Sequence, residues 1–124
     1  MLGPDEPEYW GTWGYRGRRF LLDAEDYSRA SAESALWRTD QELSRMAEED
    51  PELRKWLLYN KPHLAVAMTL TGKRRDARRV IREMEGLIPD HGSSKHEQTA
   101  RTLRWLIWAP RWLILRAYRR NRLH

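Results

Sequence analysis

The sequence lacks cysteine altogether, which excludes a disulfide framework and thiol chemistry. Residues 1–8 are acidic and contain proline, so they do not resemble a secretory signal peptide, which is basic and then apolar. The chain also lacks the G-x-S-x-G, G-x-x-x-x-G-K-[ST], G-x-G-x-x-G and H-E-x-x-H motifs of common enzymes. We therefore expect a cytoplasmic protein with no complete active site and no cofactor.

Acidic side chains are absent from the end of the chain. The 124 residues carry a formal net charge of +5, but this charge is unevenly distributed. Residues 1–60 hold 8 basic and 13 acidic side chains, residues 61–100 hold 8 and 5, and residues 101–124 hold 7 and 0. This polarity predicts an anionic partner for the C-terminal half, which could be phospholipid, nucleic acid or an acidic protein surface.

A long apolar run is missing too, because arginines interrupt the most apolar stretch, residues 101–120. A spanning helix needs about 20 mostly apolar residues. On a helix, the aliphatic side chains of this stretch share one broad face, and Trp105, Trp108 and Trp112 align on a second stripe. The basic residues around that tryptophan row are Arg101, Arg104, Arg111, Arg116, Arg119 and Arg120.

Tryptophan favours the headgroup level of a bilayer, and arginine can extend over apolar surface while its charge stays in water. We therefore expect an amphipathic helix over residues 94–120, kinked at Pro110, that docks on an anionic membrane surface or a partner. In that case the protein would be peripheral on the inner face of the membrane. The alternative is that this helix simply packs on the rest of a helical bundle.

The rest of the chain predicts an all-α fold, a small bundle of about five helices. Glycine and proline predict an irregular arm over residues 1–25, and apolar periodicity predicts helices over 26–47, 51–59, 62–70 and 73–85 within a bundle spanning 26–90. Asp50-Pro51 is typical of a helix start, and Asn60-Lys61-Pro62 of a break. Gly72 and Gly86 are expected at helix ends, and Ser94 with Glu97 as a capping box.

Residues 62–86 resemble a single tetratricopeptide-type hairpin, with Leu64, Ala65, Gly72, Ala77, Ile81 and Pro89 at the spacing of that motif. The second helix of this hairpin has a strongly basic face, which we interpret as an anion-binding surface. Its residues are Arg74, Arg75, Arg78, Arg79 and Arg82. His91, His96 and Glu97 are too few and too loosely spaced for a closed zinc site, so no metal is expected.

Two runs, residues 64–79 and residues 103–113, carry a family resemblance. The first is alanine-rich and ends in a Gly-basic turn, and the second is an apolar helix interrupted by Pro110. Together they resemble the helical C-terminal region of bacterial family 2 glycosyltransferases, over residues 60–122. The catalytic domain of that family binds a nucleotide sugar, usually with a metal held by Asp-x-Asp, and no Asp-x-Asp occurs here. The resemblance implies an accessory tail without the catalyst.

Three functions remain open from the sequence. The first is a non-catalytic helical module that docks on an anionic membrane through its Trp/Arg helix, serving a glycosyltransferase. The second is a nucleic-acid-binding protein that uses the arginines of the fourth helix and of the C-terminus. The third is a protein-interaction adaptor, in its simplest form a homodimer joined through the C-terminal helix.

Overall fold

Six α-helices and one short 3-10 helix make up the described part of the chain, residues 3–21 and 26–120 of the computed structural model. The α-helices are α1 (Pro7–Leu21), α2 (Asp26–Ala47), α3 (Arg54–Leu70), α4 (Arg74–His91), α5 (Ser94–Leu106) and α6 (Arg111–Arg119), and the 3-10 helix is Pro51–Leu53. The side chains of residues 16, 18–21, 26–28 and 119 lie outside this description. No strand occurs in the described residues, so the predicted all-α fold is confirmed.

The N-terminal arm forms helix α1, so the prediction of an irregular segment over residues 1–25 is wrong where the chain is described. Gly11, Gly14 and Gly17 recur every three residues, so they share one side of α1. A β-carbon on Gly17 would lie 2.7 Å from Leu36 Cγ, and one on Gly14 would lie 3.1 Å from an oxygen of Asn60. The glycines therefore let α1 approach α2 and α3 closely.

Helix α3 is the core of the bundle, since every residue from 60 to 70 is buried. The predicted break before Pro62 is wrong, because α3 runs through it. The Asn60 side chain donates to the Leu36 backbone oxygen at 3.0 Å, and Lys61 Nζ donates to an Asp40 carboxylate oxygen at 2.9 Å. These contacts with α2 hold the backbone in place where proline removes a helical hydrogen bond.

Two of the predicted helix boundaries are confirmed. The Asp50 side chain accepts the backbone N–H of Glu52 at the start of the 3-10 helix, and Gly72 has a φ of +85° in the turn between α3 and α4. Gly86 does not end α4, which continues to His91 because Ile88 is still in the core. The capping box lies one residue before the predicted Ser94–Glu97 pair. It is formed by Ser93 and His96, with the Ser93 backbone N–H donating to His96 Nδ1 at 3.1 Å.

The C-terminal stretch forms two helices instead of one kinked helix. Helix α5 ends at Leu106, a turn follows, and Pro110 is the N-cap of α6 with a ψ of 151°. The predicted interruption at Pro110 is thus correctly placed, but it is a full break between two helices and not a kink within one. Within residues 3–21 and 26–120, no helix has both the length and the apolar character that a membrane crossing requires.

Candidate functional site

The aliphatic face of α5 and α6 packs into the core, as the packing alternative predicted. Leu103, Leu106, Ile107 and Ile114 are all at most 3% exposed. On α6, Tyr118 is also buried, and its hydroxyl lies 2.7 Å from Nδ1 of His63 on α3. Most of the aliphatic side chains of this stretch are therefore inside the protein, and Leu113, Leu115 and Ala117 are partly exposed. The tryptophans thus form the main apolar part of any contact surface.

The three tryptophans of the row are all exposed: Trp105 to 64%, Trp108 to 63% and Trp112 to 63%. Because the helix breaks, they do not lie on one straight stripe. Trp105 is in the last turn of α5, Trp108 is in the connecting turn, and Trp112 is in the first turn of α6. The indoles thus belong to the two helix ends and the turn that form the corner between α5 and α6.

Helix α4 fixes this corner in place. The guanidinium of Arg74 donates to the Ala109 backbone oxygen at 3.4 Å. One turn before the corner, Arg104 on α5 binds Glu85 on α4, with nitrogen–oxygen distances from 2.8 to 3.1 Å. Arg74 was predicted in the anion-binding set and Arg104 in the membrane- or partner-binding set, and in the structure both also join α4 to the α5–α6 corner.

Most of the other predicted arginines are exposed on α4, α5 and α6. Arg79 is held in an ion pair with Asp76 on its own helix. Among the described residues, none of the remaining members forms an ion pair; they are Arg75, Arg78, Arg82, Arg101, Arg111, Arg116 and Arg120. The side chain of Arg119 lies outside the described residues.

Most of the acids near these arginines are already bound. On α4, Asp76 contacts Arg79, Glu83 contacts Lys61 at 3.3 Å, and Glu85 contacts Arg104. Glu97 lines a further groove with Arg101 and Arg104 and forms no ion pair among the described residues. No Asp or Glu occurs in residues 98–124, so the exposed arginines still outnumber the acids near them.

Two grooves are lined by members of the predicted sets. The α4–α5 groove, of about 270 Å³, is lined by Arg78, Ile81, Arg82, Glu85, Arg104, Ile107 and Trp108. A second groove of about 540 Å³ runs between α5 and α6, with Trp105 on one wall and Arg116 and Arg120 on the other. We call the exposed tryptophans and arginines around these grooves the Trp/Arg surface: Arg74, Arg75, Arg78, Arg82, Arg101, Arg104, Trp105, Trp108, Arg111, Trp112, Arg116 and Arg120.

A larger groove lies elsewhere, between α1, α2 and the start of α4, with a volume of about 980 Å³. Tyr9, Trp10, Trp13 and Trp37 line it, and its two acids are bound to bases: Glu33 lies 2.5 Å from Lys73, and Asp76 contacts Arg79. Sequence reasoning missed this groove because it read residues 1–25 as irregular. The groove has neither the unpaired cations nor the three highly exposed indoles of the Trp/Arg surface.

A buried ion pair was also not predicted from the sequence. Lys61 and Asp40, 4% and 5% exposed, form an ion pair between α3 and α2, and Glu83 of α4 contacts the same ammonium group. Burial raises the pKa of the Asp40 carboxyl above its ordinary value, although the attraction of Lys61 opposes this shift. The pair links three helices beneath the surface and has no path to a substrate groove, so we assign it a structural role.

Within the described residues, no three His, Asp or Glu side chains come together in a group able to hold a metal ion. Comparison of the chain with protein-family models, with curated proteins and with solved structures gives no match. The Trp/Arg surface is therefore the candidate site that the geometry supports.

Proposed function

We propose that this protein is a non-catalytic helical module that docks on an anionic membrane surface through its Trp/Arg surface. The observation that carries the proposal is the exposure of Trp105, Trp108 and Trp112, each near 63%, in a part of the chain with no acid. An indole in water exposes a large apolar ring, whereas at the headgroup level the ring is buried and its N–H finds a partner.

The docking is shallow, because most of the aliphatic side chains of α5 and α6 are already in the core. If each indole buries about 50 Å² of apolar area at about 25 cal/mol per Å², the three rings together contribute roughly 4 kcal/mol. Arginines near an anionic surface contribute about 1 kcal/mol each. Both contributions amount to several kcal/mol, so we expect the rings and the charges to act together.

The test is binding of the full chain to vesicles, followed by cosedimentation and by tryptophan emission. Vesicles of phosphatidylglycerol with phosphatidylcholine are compared with pure phosphatidylcholine. Replacing Trp105, Trp108 and Trp112 together by alanine should weaken binding to the anionic vesicles several hundredfold. Trp37→Ala is the matched control, since Trp37 is 48% exposed on α2, away from this surface.

Point variants are preferable to truncation here. Removal of the chain after Thr99 would take away Leu103, Leu106, Ile107, Ile114 and Tyr118, all of which belong to the core. Equal binding of the triple variant and the native chain would reject docking through the tryptophans, and no binding of either would reject membrane docking. Circular dichroism of each variant establishes that the bundle is intact.

Nucleic-acid binding is the second candidate, and the position of Trp108 beside Arg78 and Arg82 favours it. Exposed aromatic rings with arginines can stack bases and contact phosphates. Binding of a single-stranded oligonucleotide that falls steeply with salt, without binding to anionic vesicles, would support this candidate over the first. A concentration-dependent dimer that is lost in the triple tryptophan variant would instead support an interaction adaptor or homodimer.

The resemblance of residues 60–122 to the helical C-terminal region of family 2 glycosyltransferases supplies a setting for membrane docking. Under that proposal the module holds a catalytic partner close to a lipid-linked substrate at the inner face of the membrane. The support for this setting is the sequence pattern of the α3–α4 turn and of the Pro110 corner. No catalytic residue is assigned to the chain.

A further inference from the structure

The α4–α5 groove differs from the rest of the Trp/Arg surface because it is a cleft and not a convex face. Its base includes Ile81 and Ile107, which are 2% and 3% exposed and belong to the core. Its walls belong to two helices joined by the Arg104–Glu85 ion pair. The side chains at its rim are therefore carried on a fixed frame.

The α4–α5 groove is lined by more basic than acidic side chains. Glu85 is its one acid, and both carboxylate oxygens of Glu85 are within 2.9 Å of Arg104 Nη2. That leaves Arg78 and Arg82, which are exposed and form no ion pair among the described residues. They are four residues apart on α4, so they project from the same side of the helix on successive turns. The groove thus offers two arginine forks to one ligand.

We propose that the α4–α5 groove binds the phosphate monoester of a lipid headgroup. A phosphate monoester carries about −1.5 to −2 charges near pH 7, which matches the two free arginines, whereas a phosphodiester carries only one. Guanidinium groups bind phosphate oxygens in a bidentate manner, which suits Arg78 and Arg82. This inference rests on the proposed membrane docking and adds the class of lipid that is selected.

The position of Trp108 favours a lipid over a soluble phosphate compound. Trp108 lines the groove and is also one of the three exposed tryptophans. When its indole lies at the headgroup level, the mouth of the groove lies at the same level, next to the phosphates of the bilayer. Docking through the tryptophans would therefore bring the two arginines to a headgroup.

The experiment compares phosphatidic acid vesicles with phosphatidylglycerol vesicles, with their compositions adjusted to equal measured surface potential. The full native chain should bind the phosphatidic acid vesicles about tenfold or more tightly. The double variant Arg78→Gln/Arg82→Gln should lose this preference. It should still bind phosphatidylglycerol vesicles, because the rest of the surface is intact.

The matched control is Arg75→Gln/Arg111→Gln. It removes the same two charges from exposed positions that do not line the groove. We expect it to weaken binding to both kinds of vesicle by a similar factor and to keep the preference for phosphatidic acid. If the two double variants behave alike, the groove has no special role and the inference is wrong.

Three further outcomes have distinct meanings. Equal binding of the native chain to both vesicles would overturn the headgroup inference and leave membrane docking standing. No binding to either would overturn both proposals. Binding of glycerol 3-phosphate in the absence of vesicles, lost in Arg78→Gln/Arg82→Gln, would keep the phosphate chemistry but show that the source is soluble, against the lipid assignment.

Discussion

The buried ion pair between Asp40 and Lys61 shows how this bundle places charged residues in its core. Both residues are at most 5% exposed, and their side chains are 2.9 Å apart. Desolvation of two charges is costly, and their attraction compensates only when the geometry is good. Sequence reasoning could not find the pair, because residues 40 and 61 meet only through the packing of α2 on α3.

The raised pKa of Asp40 makes a pH dependence testable. The folded protein holds a proton on this carboxyl more tightly than the unfolded chain does, so Asp40 contributes stability that is present below the ordinary pKa of 3.8 and lost as the pH rises through the folded value. We therefore expect the native protein to lose stability relative to Asp40→Asn as the pH rises from about 4 toward neutrality.

Urea unfolding of the two proteins at a series of pH values measures this difference, and the pH dependence of all other groups cancels to first order in the subtraction. A difference that stays constant would mean that the pKa of Asp40 is the same in the folded and unfolded states. A difference that changes in favour of the native protein would mean that the attraction of Lys61 outweighs desolvation.

At the same scale, the row of tryptophans could be predicted from the sequence, but the contacts of the nearby arginines could not. Three indoles at i, i+3 and i+7 stand out in the sequence because their spacing separates them from the aliphatic face. The sequence does not say that Arg104 is committed to Glu85 or Arg74 to Ala109. Those contacts join residues 19 and 35 positions apart and depend on how α4 and α5 pack.

At the scale of elements, helix α1 shows why glycine was misinterpreted. Glycine lowers helix propensity by about 1 kcal/mol relative to alanine, so three glycines in seven residues suggest a loop. In the structure they form the packing side of α1, and Trp10 of the same helix is buried with Leu43 and Leu57. Tertiary packing thus overrides the weak propensity of the segment.

A glycine-to-alanine pair tests this explanation. Gly17→Ala should destabilise the protein by about 1 to 2 kcal/mol, because the new β-carbon would lie 2.7 Å from the fully buried Leu36. Gly86→Ala is the control, since no atom lies within 4 Å of its β-carbon position inside α4. It should stabilise by about 0.5 to 1 kcal/mol. Thermal or urea unfolding gives both values, and stabilisation by both changes would show that α1 does not pack closely.

The proline positions show a related limit. Pro62 and Pro89 lie inside helices, whereas Pro110 follows a break between α5 and α6. The same residue type thus has different outcomes, and for Pro62 the buried contacts of α3 with α2 account for the continued helix. Local sequence therefore predicted the existence of most helices more reliably than the places where they end.

At the scale of the whole molecule, the basic residues are concentrated in α4, α5 and α6, whereas most of the acids lie in residues 1–60. The uneven charge was evident from the sequence, and so was the prediction of an anionic partner. What the fold adds is the contact between α4 and α5, which brings Arg78 and Arg82 beside Trp108 in the turn after α5. A steered encounter with an anionic surface would orient the molecule with this side forward.

This charge separation predicts a characteristic salt dependence. The Debye length falls from about 10 Å at 0.1 M salt to about 3 Å at 1 M, which screens the arginines but not apolar contacts. Affinity of the native chain for phosphatidylglycerol vesicles should therefore fall steeply as salt is added. The triple tryptophan-to-alanine variant should bind more weakly at every salt concentration but with nearly the same slope.

The double variants Arg78→Gln/Arg82→Gln and Arg75→Gln/Arg111→Gln should behave in the opposite way. Their affinity should depend less steeply on salt than that of the native chain, and it should approach the native affinity at high salt. Cosedimentation across a salt series measures all of these curves. Arg45→Gln/Arg54→Gln removes two exposed charges from residues outside the Trp/Arg surface and should leave the slope unchanged. Binding that stays undiminished at 1 M salt would mean that the indoles act alone, and the arginines would then have no part in docking.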